Sequence, residues 1–217
     1  TLRKYKISKD SDENVQLLRK KLESESYFID FGYITKSNQD INKVANWQSN
    51  ADNFRNGSVT LSKTTEQFFL ERKITIQDKY LFKITDSITN ISKSSQEVKH
   101  YGLINRGFSL DSESFLILHE GPISVIDNEL QEVTFKKLTK EDFNYKSVNG
   151  WTGFSDKYWL SAIIPNKSKS YNYNMYHYLK NDLDNRFQTE LSSNWYEIAQ
   201  NQTTEFEYLI FAGPKEL

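Results

Sequence analysis

Apolar and polar residues alternate with a period of two along most of this chain. Tyr27, Ile29, Phe31 and Tyr33 share one face of a short run whose other face carries Asp30 and Gly32. Phe68, Leu70, Ile74 and Ile76 alternate with Phe69, Glu71, Lys73 and Thr75, and Tyr80, Phe82, Ile84 and Ile88 with Lys83, Thr85 and Ser87. Further runs at 98–106, 115–126, 132–135, 159–164, 171–179, 186–191, 195–199 and 206–211 continue the series. Strands of this length and spacing predict an all-β sandwich.

The punctuation agrees. Asp127-Asn128 separates two such runs, and both residue types tolerate the positive φ that a two-residue hairpin turn needs. Gly121-Pro122 interrupts the run 115–126, and Pro165 ends the run before it. Helical signal is sparse. Thr139 to Asp142 resembles a capping box opening a single turn. Val15, Leu18 and Leu22 have helical spacing, but Ser24 to Ser26 follow, and a strand at 15–18 is preferred. Residues 37–57 are polar and Asn-rich, and predict a long loop around Trp47.

Composition narrows the function classes. With 28 basic and 29 acidic residues scattered through 217 positions, the net charge is −1, which argues against a nucleic-acid footprint. The absence of cysteine excludes disulfides, thiolate metal ligands and a cysteine nucleophile. No apolar run approaches the roughly 18 residues of a membrane helix, and no signal peptide opens the chain.

Candidate chemistry is thin. His119-Glu120 lacks the second histidine of a zincin motif and precedes a turn, not a helix. His177 lies in a Tyr-rich run, where a surface or edge place is expected; the run imitates a nucleic-acid stacking platform but lacks an electropositive groove. Acid–base chemistry on a substrate needs a histidine acid and a carboxylate base converging in one site. His100 or His119 with Glu120 are the available pieces, and their strand-end settings suggest no convergence. No catalytic residue, cofactor or metal ligand is therefore assigned.

Three blocks, taken together, resemble the Gram-negative YidC branch of the YidC/Oxa/Alb insertase family. The first is residues 78–90, DKYLFKITDSITN. The second joins 101–106, YGLINR, to 115–127, FLILHEGPISVID, with its His119, Glu120, Gly121 and Pro122, and to 132–138, EVTFKKL. The third and most specific is 150–165, GWTGFSDKYWLSAIIP, carrying Gly150, Trp151, Gly153, Asp156, Lys157, Tyr158, Ala162 and Pro165. The end, 211–217, adds Gly213 and Pro214. Asn128 stands where the family usually has a turn glycine, and Trp159 where it has Phe.

The resemblance implies a single periplasmic domain over 1–217, trimmed after the family's first strand, from a bacterial inner-membrane insertase whose membrane region lies outside this sequence. It implies a twisted super β-sandwich of the galactose-mutarotase type with little helix, one short helix near its C-terminus. It implies a scaffold without catalysis that contacts SecD/SecF and the SecYEG translocon, meets nascent membrane proteins through the absent region, and is monomeric in isolation. A sugar-binding or mutarotase-like sandwich and a periplasmic chaperone are the alternatives. In the third block, Gly150 and Gly153 give the backbone freedom around Trp151. Trp151 and Tyr158 are expected in the core, and 111–149 is the expected partner patch.

Overall fold

The computed structural model describes residues 2–21, 26–36, 41–43, 46–49, 57–110, 118–181 and 184–215. The chain runs through β1 (Leu2–Lys6), β2 (Asn14–Val15), β3 (Tyr27–Thr35), β4 (Gln48–Ser49), β5 (Ser58–Thr64), β6 (Phe68–Asp78), β7 (Leu81–Asn90) and β8 (Gln96–Gly107). It continues with β9 (Gly121–Ile126), β10 (Glu129–Glu132), α1 (Phe135–Leu138), β11 (Phe143–Ser147), β12 (Gly150–Ser155) and β13 (Trp159–Pro165). The last strands are β14 (Tyr171–Lys180), β15 (Asp184–Ser193), β16 (Tyr196–Ile198) and β17 (Thr203–Pro214).

Two antiparallel sheets result. The larger has nine strands in the order β10-β9-β12-β13-β17-β7-β6-β5-β4. In the smaller, β11, β14, β15 and β8 are neighbours in turn; β15 and then β16 follow one edge of β8, and β3 takes the other. The β1–β2 hairpin pairs only with itself. The inner faces supply the core, with Phe68, Leu70, Ile88, Phe154, Ile163 and Phe206 from the large sheet and Val98, Ile104, Phe187 and Leu191 from the small one, all buried. Burying each such side chain contributes about 1.5–3 kcal/mol. Polar contacts also cross the gap: Tyr27 Oη meets Ser161 Oγ at 2.5 Å, and the Thr152 and Thr189 hydroxyls meet. The architecture is the all-β sandwich expected from the alternation.

Local chemistry explains the connections. Asp127 and Asn128 have φ of 51° and 71°, the geometry of a type I′ hairpin, and β9 and β10 pair on either side from Ile126↔Glu129. Asn181, at φ 53°, occupies the β14–β15 turn.

Several expectations are corrected. The single-turn helix begins earlier than the Thr139 motif predicts. Thr134 caps it, its hydroxyl accepting from the Lys137 amide at 3.1 Å, and Thr139 closes the other end. Phe135 and Leu138, three residues apart, bury its inner side, so Phe135 is helical and β10 ends at Glu132. This is the only helix among the described residues; none lies near the C-terminus, where β17 runs to Pro214. At 15–18 only Val15 is in a strand, although Leu17 is buried. In the run 115–126 the strand begins at Gly121, and 115–117 lie outside the described residues, as does most of the 37–57 loop. His177 is half-buried on β14 two residues past Met175, where the pairing with β11 ends, so the expected local edge place stands.

Tyr158 is not a core residue. It sits in the turn between β12 and β13 and is 59% exposed. Trp151 is half-buried, because the inward positions of β12 are Thr152 and Phe154, and the period of two turns Trp151 outward. Phe154→Ala should therefore cost about 3–5 kcal/mol, while Tyr158→Ala should stay within about 0.5 kcal/mol; chemical denaturation of both variants checks the contrast. At the turn, Asn128→Val should cost about 1–2 kcal/mol, since a β-branched side chain opposes a left-handed backbone. Asn128→Gly should shift stability by less than about 1 kcal/mol, and the melting midpoints of the pair test the turn type.

Candidate functional site

The alternation that builds the sandwich also points a few charged side chains inward. Asp86 lies on the inner face of β7, directly opposite Arg72 of β6 and Phe206 of β17. Its carboxylate is fully buried, which is costly unless every oxygen is satisfied. Arg72 satisfies both: Nε donates to Oδ1 and Nη2 to Oδ2, each at 2.7 Å, while Nη2 also donates to the Phe31 carbonyl at 3.0 Å. The guanidinium lies 5.0 Å from the Trp47 ring and 5.6 Å from that of Phe31.

His100 of β8 reaches across from the small sheet. Its Nε2 is 2.8 Å from Asp86 Oδ2 and its Nδ1 is 2.8 Å from Tyr208 Oη. The ring is stacked on Phe206 at 4.7 Å and met edge-on by Tyr33 at the same distance. Burial holds the imidazole below its ordinary pKa. The neutral ring therefore donates from Nε2 to the carboxylate and accepts the Tyr208 hydroxyl at Nδ1. Burial alone would raise Asp86, but the hydrogen bonds from His100 and Arg72 outweigh it and hold the carboxyl down at about 2. Burial likewise drives the Tyr33 and Tyr208 hydroxyls far above their usual range.

A second cluster occupies the end of the sandwich where the motif blocks meet. Gly121, Ser155, Leu160 and Gly213 lie in one row across β9, β12, β13 and β17. Asp156, in the turn that follows, receives Arg106 Nη1 at 2.5 Å, so the second and third blocks are joined by an ion pair. Arg106 also lies over the rings of Tyr27, Phe108 and Phe135, 5.0 to 5.6 Å away. Tyr27, Arg106, Phe108, Asp156 and Trp159 border, with Arg19, an open cleft of about 690 Å³ at the sandwich mouth, within the size range of ligand pockets. Arg106 is already neutralised by Asp156.

The remaining motif residues hold backbone in place. His119 Nε2 donates to the Pro122 carbonyl at 3.0 Å, and the His119 carbonyl accepts from Ser155 Oγ at 3.3 Å. Glu120 stands beside them. Gly121 has φ of 145°, and a Cβ there would lie 2.5 Å from the Val133 carbonyl oxygen, so only glycine fits. The Gly153 backbone passes close to the Ser161 carbonyl, against which a Cβ would lie at 2.0 Å. Gly150 pairs with Ile126 and Ala162 with Phe211, Pro165 meets Tyr208, and Pro214 meets Trp159. Lys157 lies over the Tyr158 ring at 4.9 Å.

One expectation changes here. His100 does converge with a carboxylate, but with Asp86 and not Glu120, and in mid-strand. The two residues are 14 positions apart on separate sheets, and no motif links them; the one signal in the sequence is a titratable residue at an inward position of each strand. Among the described residues no three histidine or acidic side chains gather as a metal site, and no helix is long and apolar enough to cross a membrane.

The architecture is shared with solved structures. The Slr1438 protein from Synechocystis sp. PCC 6803 superposes with a TM-score of 0.53 at 7% identity, over 78% of this chain and 66% of that one. A putative aldose 1-epimerase from Escherichia coli K12 gives 0.52 at 9% identity, over 78% and 69%. The class is thus the galactose-mutarotase-like super-sandwich. Within it, the chain belongs to the YidC periplasmic domain family, whose model matches residues 1–217, which makes it a periplasm-facing domain. It is similar over its whole length to the membrane protein insertases YidC of Rickettsia bellii (strain OSU 85-389), at 31% identity, and Rickettsia massiliae (strain Mtu5), at 33%. It spans 40% of the length of each.

The buried network makes stability depend on acid. A depressed histidine pKa means that the unfolded chain takes up a proton first, so stability falls as pH drops below about 6.5. Asp86 adds a second loss between its unfolded value of 3.8 and its folded value of about 2. The thermal midpoint should trace both limbs, and His100→Gln should flatten the first. Asp86→Asn should cost about 3–5 kcal/mol, because it leaves the largely buried Arg72 without its counter-charge; equilibrium unfolding reads that value.

Proposed function

We propose that this chain is the partner-binding periplasmic domain of a membrane protein insertase. It serves as a scaffold while inner-membrane proteins are inserted and folded, alone or with the Sec translocon. The observation that carries this reading is the family match along the whole chain, supported by full-length similarity to proteins named as insertases. Nascent membrane proteins would be met by the part of the relatives that this chain does not span. The partners proposed for the domain itself are SecD/SecF and SecYEG, with 118–149 as the described part of the contact patch. That segment combines exposed charge at Glu129, Glu132, Lys136 and Lys140 with half-buried Phe143 and Tyr145, the mixture of a modest, partly polar interface.

A reading without chemistry is supported by the placement of the titratable groups. His100 and Asp86 are completely buried between the sheets, and Arg72 occupies both carboxylate oxygens. A sugar would have to displace the sandwich core to reach them. The mutarotase-like alternative rests on the shared fold, and fold does not fix function. Photoreactive residues at positions 129, 136 and 140 should capture a Sec component in intact cells, and residues at positions 73 and 77, on β6 in the other half of the large sheet, should not. Capture from β6 alone would move the patch, and capture from neither would remove the partner. Polarimetry with galactose should show no acceleration of mutarotation; a rate abolished by His100→Gln would favour the epimerase reading.

A further inference from the structure

Basic and aromatic side chains collect at the end of the large sheet where Gly121, Ser155, Leu160 and Gly213 align. Lys79 and Tyr80 form the β6–β7 turn there, with the Tyr80 ring lying against Gly213 and its carbonyl accepting the Ala212 amide at 3.0 Å. Lys157 and Tyr158 form the β12–β13 turn, and the Tyr158 carbonyl accepts the Lys215 amide at 2.8 Å. Tyr158 is 59% exposed, as is Leu118 at 55% just before His119. Lys4, Lys79, Lys157 and Lys215 are exposed or nearly so, and none has an ion-pair partner among the described residues. Among the described residues, Asp78 adjoins Lys79 and Glu120 lies near Lys157, while Asp156 is taken by Arg106. Counted over those described groups, this end is net positive, in a chain whose total is −1.

Beside the lysines is an apolar recess. Leu2, Leu17, Leu18, Phe82 and Ala212 line an open pit of about 460 Å³ between the β1–β2 hairpin and the large sheet, with Lys4 and Lys79 at its rim. Lysines around exposed tyrosine and leucine match the chemistry of a bilayer interface. Tyrosine rings settle at headgroup depth, lysine stems lie along apolar surface with the ammonium in water, and each lysine is attracted to anionic headgroups.

We propose that this end of the sandwich docks on the surface of an anionic phospholipid bilayer, with Lys79, Lys157 and Lys215 on headgroup phosphates and Tyr158 and Leu118 at the interface. The proposal rests on reading the chain as part of a membrane insertase, which puts a bilayer within reach. Charge complementarity selects the occupant, because a purely apolar partner would leave the lysines without counter-charge.

The 217-residue chain can be titrated with vesicles of phosphatidylcholine alone and of phosphatidylcholine with phosphatidylglycerol. Binding should require phosphatidylglycerol and weaken as salt shortens the ~10 Å screening length. Lys79→Ala and Lys157→Ala should each weaken it about fivefold, and Tyr158→Ser should weaken it without changing the salt dependence. Lys93→Ala, in the turn at the opposite end of β7, should leave it unchanged. All four positions are exposed, so unchanged melting curves keep the comparison clean. Absence of binding to either vesicle, an equal effect of Lys93→Ala, or full competition by inorganic phosphate as at a soluble-anion site would each overturn the proposal. The vesicles contain no protein, so such a failure leaves the Sec crosslinking result standing, and failure of that crosslinking leaves the vesicle result standing.

Discussion

The structure depends most on an ionised carboxylate placed where no water reaches it. Asp86 can remain charged between the sheets only because Arg72 grips both of its oxygens and His100 donates to one of them from the facing sheet. Hydrophobic burial is non-directional and would accept several offsets of one sheet over the other. The hydrogen bonds would not. They require β6, β7 and β17 of one sheet and β8 of the other to meet at a single alignment, and Tyr208 and Phe206 complete the contact from β17. A partly satisfied version would be worse than an apolar core. The network thus trades stability in acid for a defined stacking of the layers.

Much of this was legible in the sequence, and the reasons are physical. A strand repeats every two residues, so alternation over six or more positions identifies both the element and its inward face; β6, β7 and β8 follow from that alone. Asp127-Asn128 was legible because few residue types accept positive φ at consecutive positions. The motif blocks were legible as a resemblance, and their gathering at one sheet end follows from the pairing of β9, β12, β13 and β17. What the sequence withheld was proximity between elements. His100 and Asp86 meet through the stacking of two sheets, and stacking leaves no local pattern. Tyr158 misled because its run of apolar neighbours extends into a turn, where no pleat directs it inward. Thr134 was missed because its cap is completed by Lys137, not by the acidic residue of a capping box.

The likeness to a putative aldose 1-epimerase is one of fold alone. The two-layer sandwich leaves an inner space in which a few polar side chains can be held at defined distances. Here the space is closed by aromatic rings on either side of His100 and by the guanidinium of Arg72. Water and solutes are kept away from the titratable groups. The surfaces left available are the turns and the ends of the sheets, where the interactions proposed for this chain lie.

Among the described residues, the β1–β2 hairpin is paired into the ladder of neither sheet. It is held by the Tyr5–Trp159 ring contact at 5.2 Å, by buried Leu17, and by the bridge between Arg19 and Tyr27 a few residues further along. Its release would break no rung of either main ladder. The hairpin is therefore its own cooperative unit, able to open with a free energy well below that of global unfolding. Its amides would exchange with solvent ahead of those in the sheets behind it, and the mouth of the sandwich can breathe while the Asp86 network stays shut.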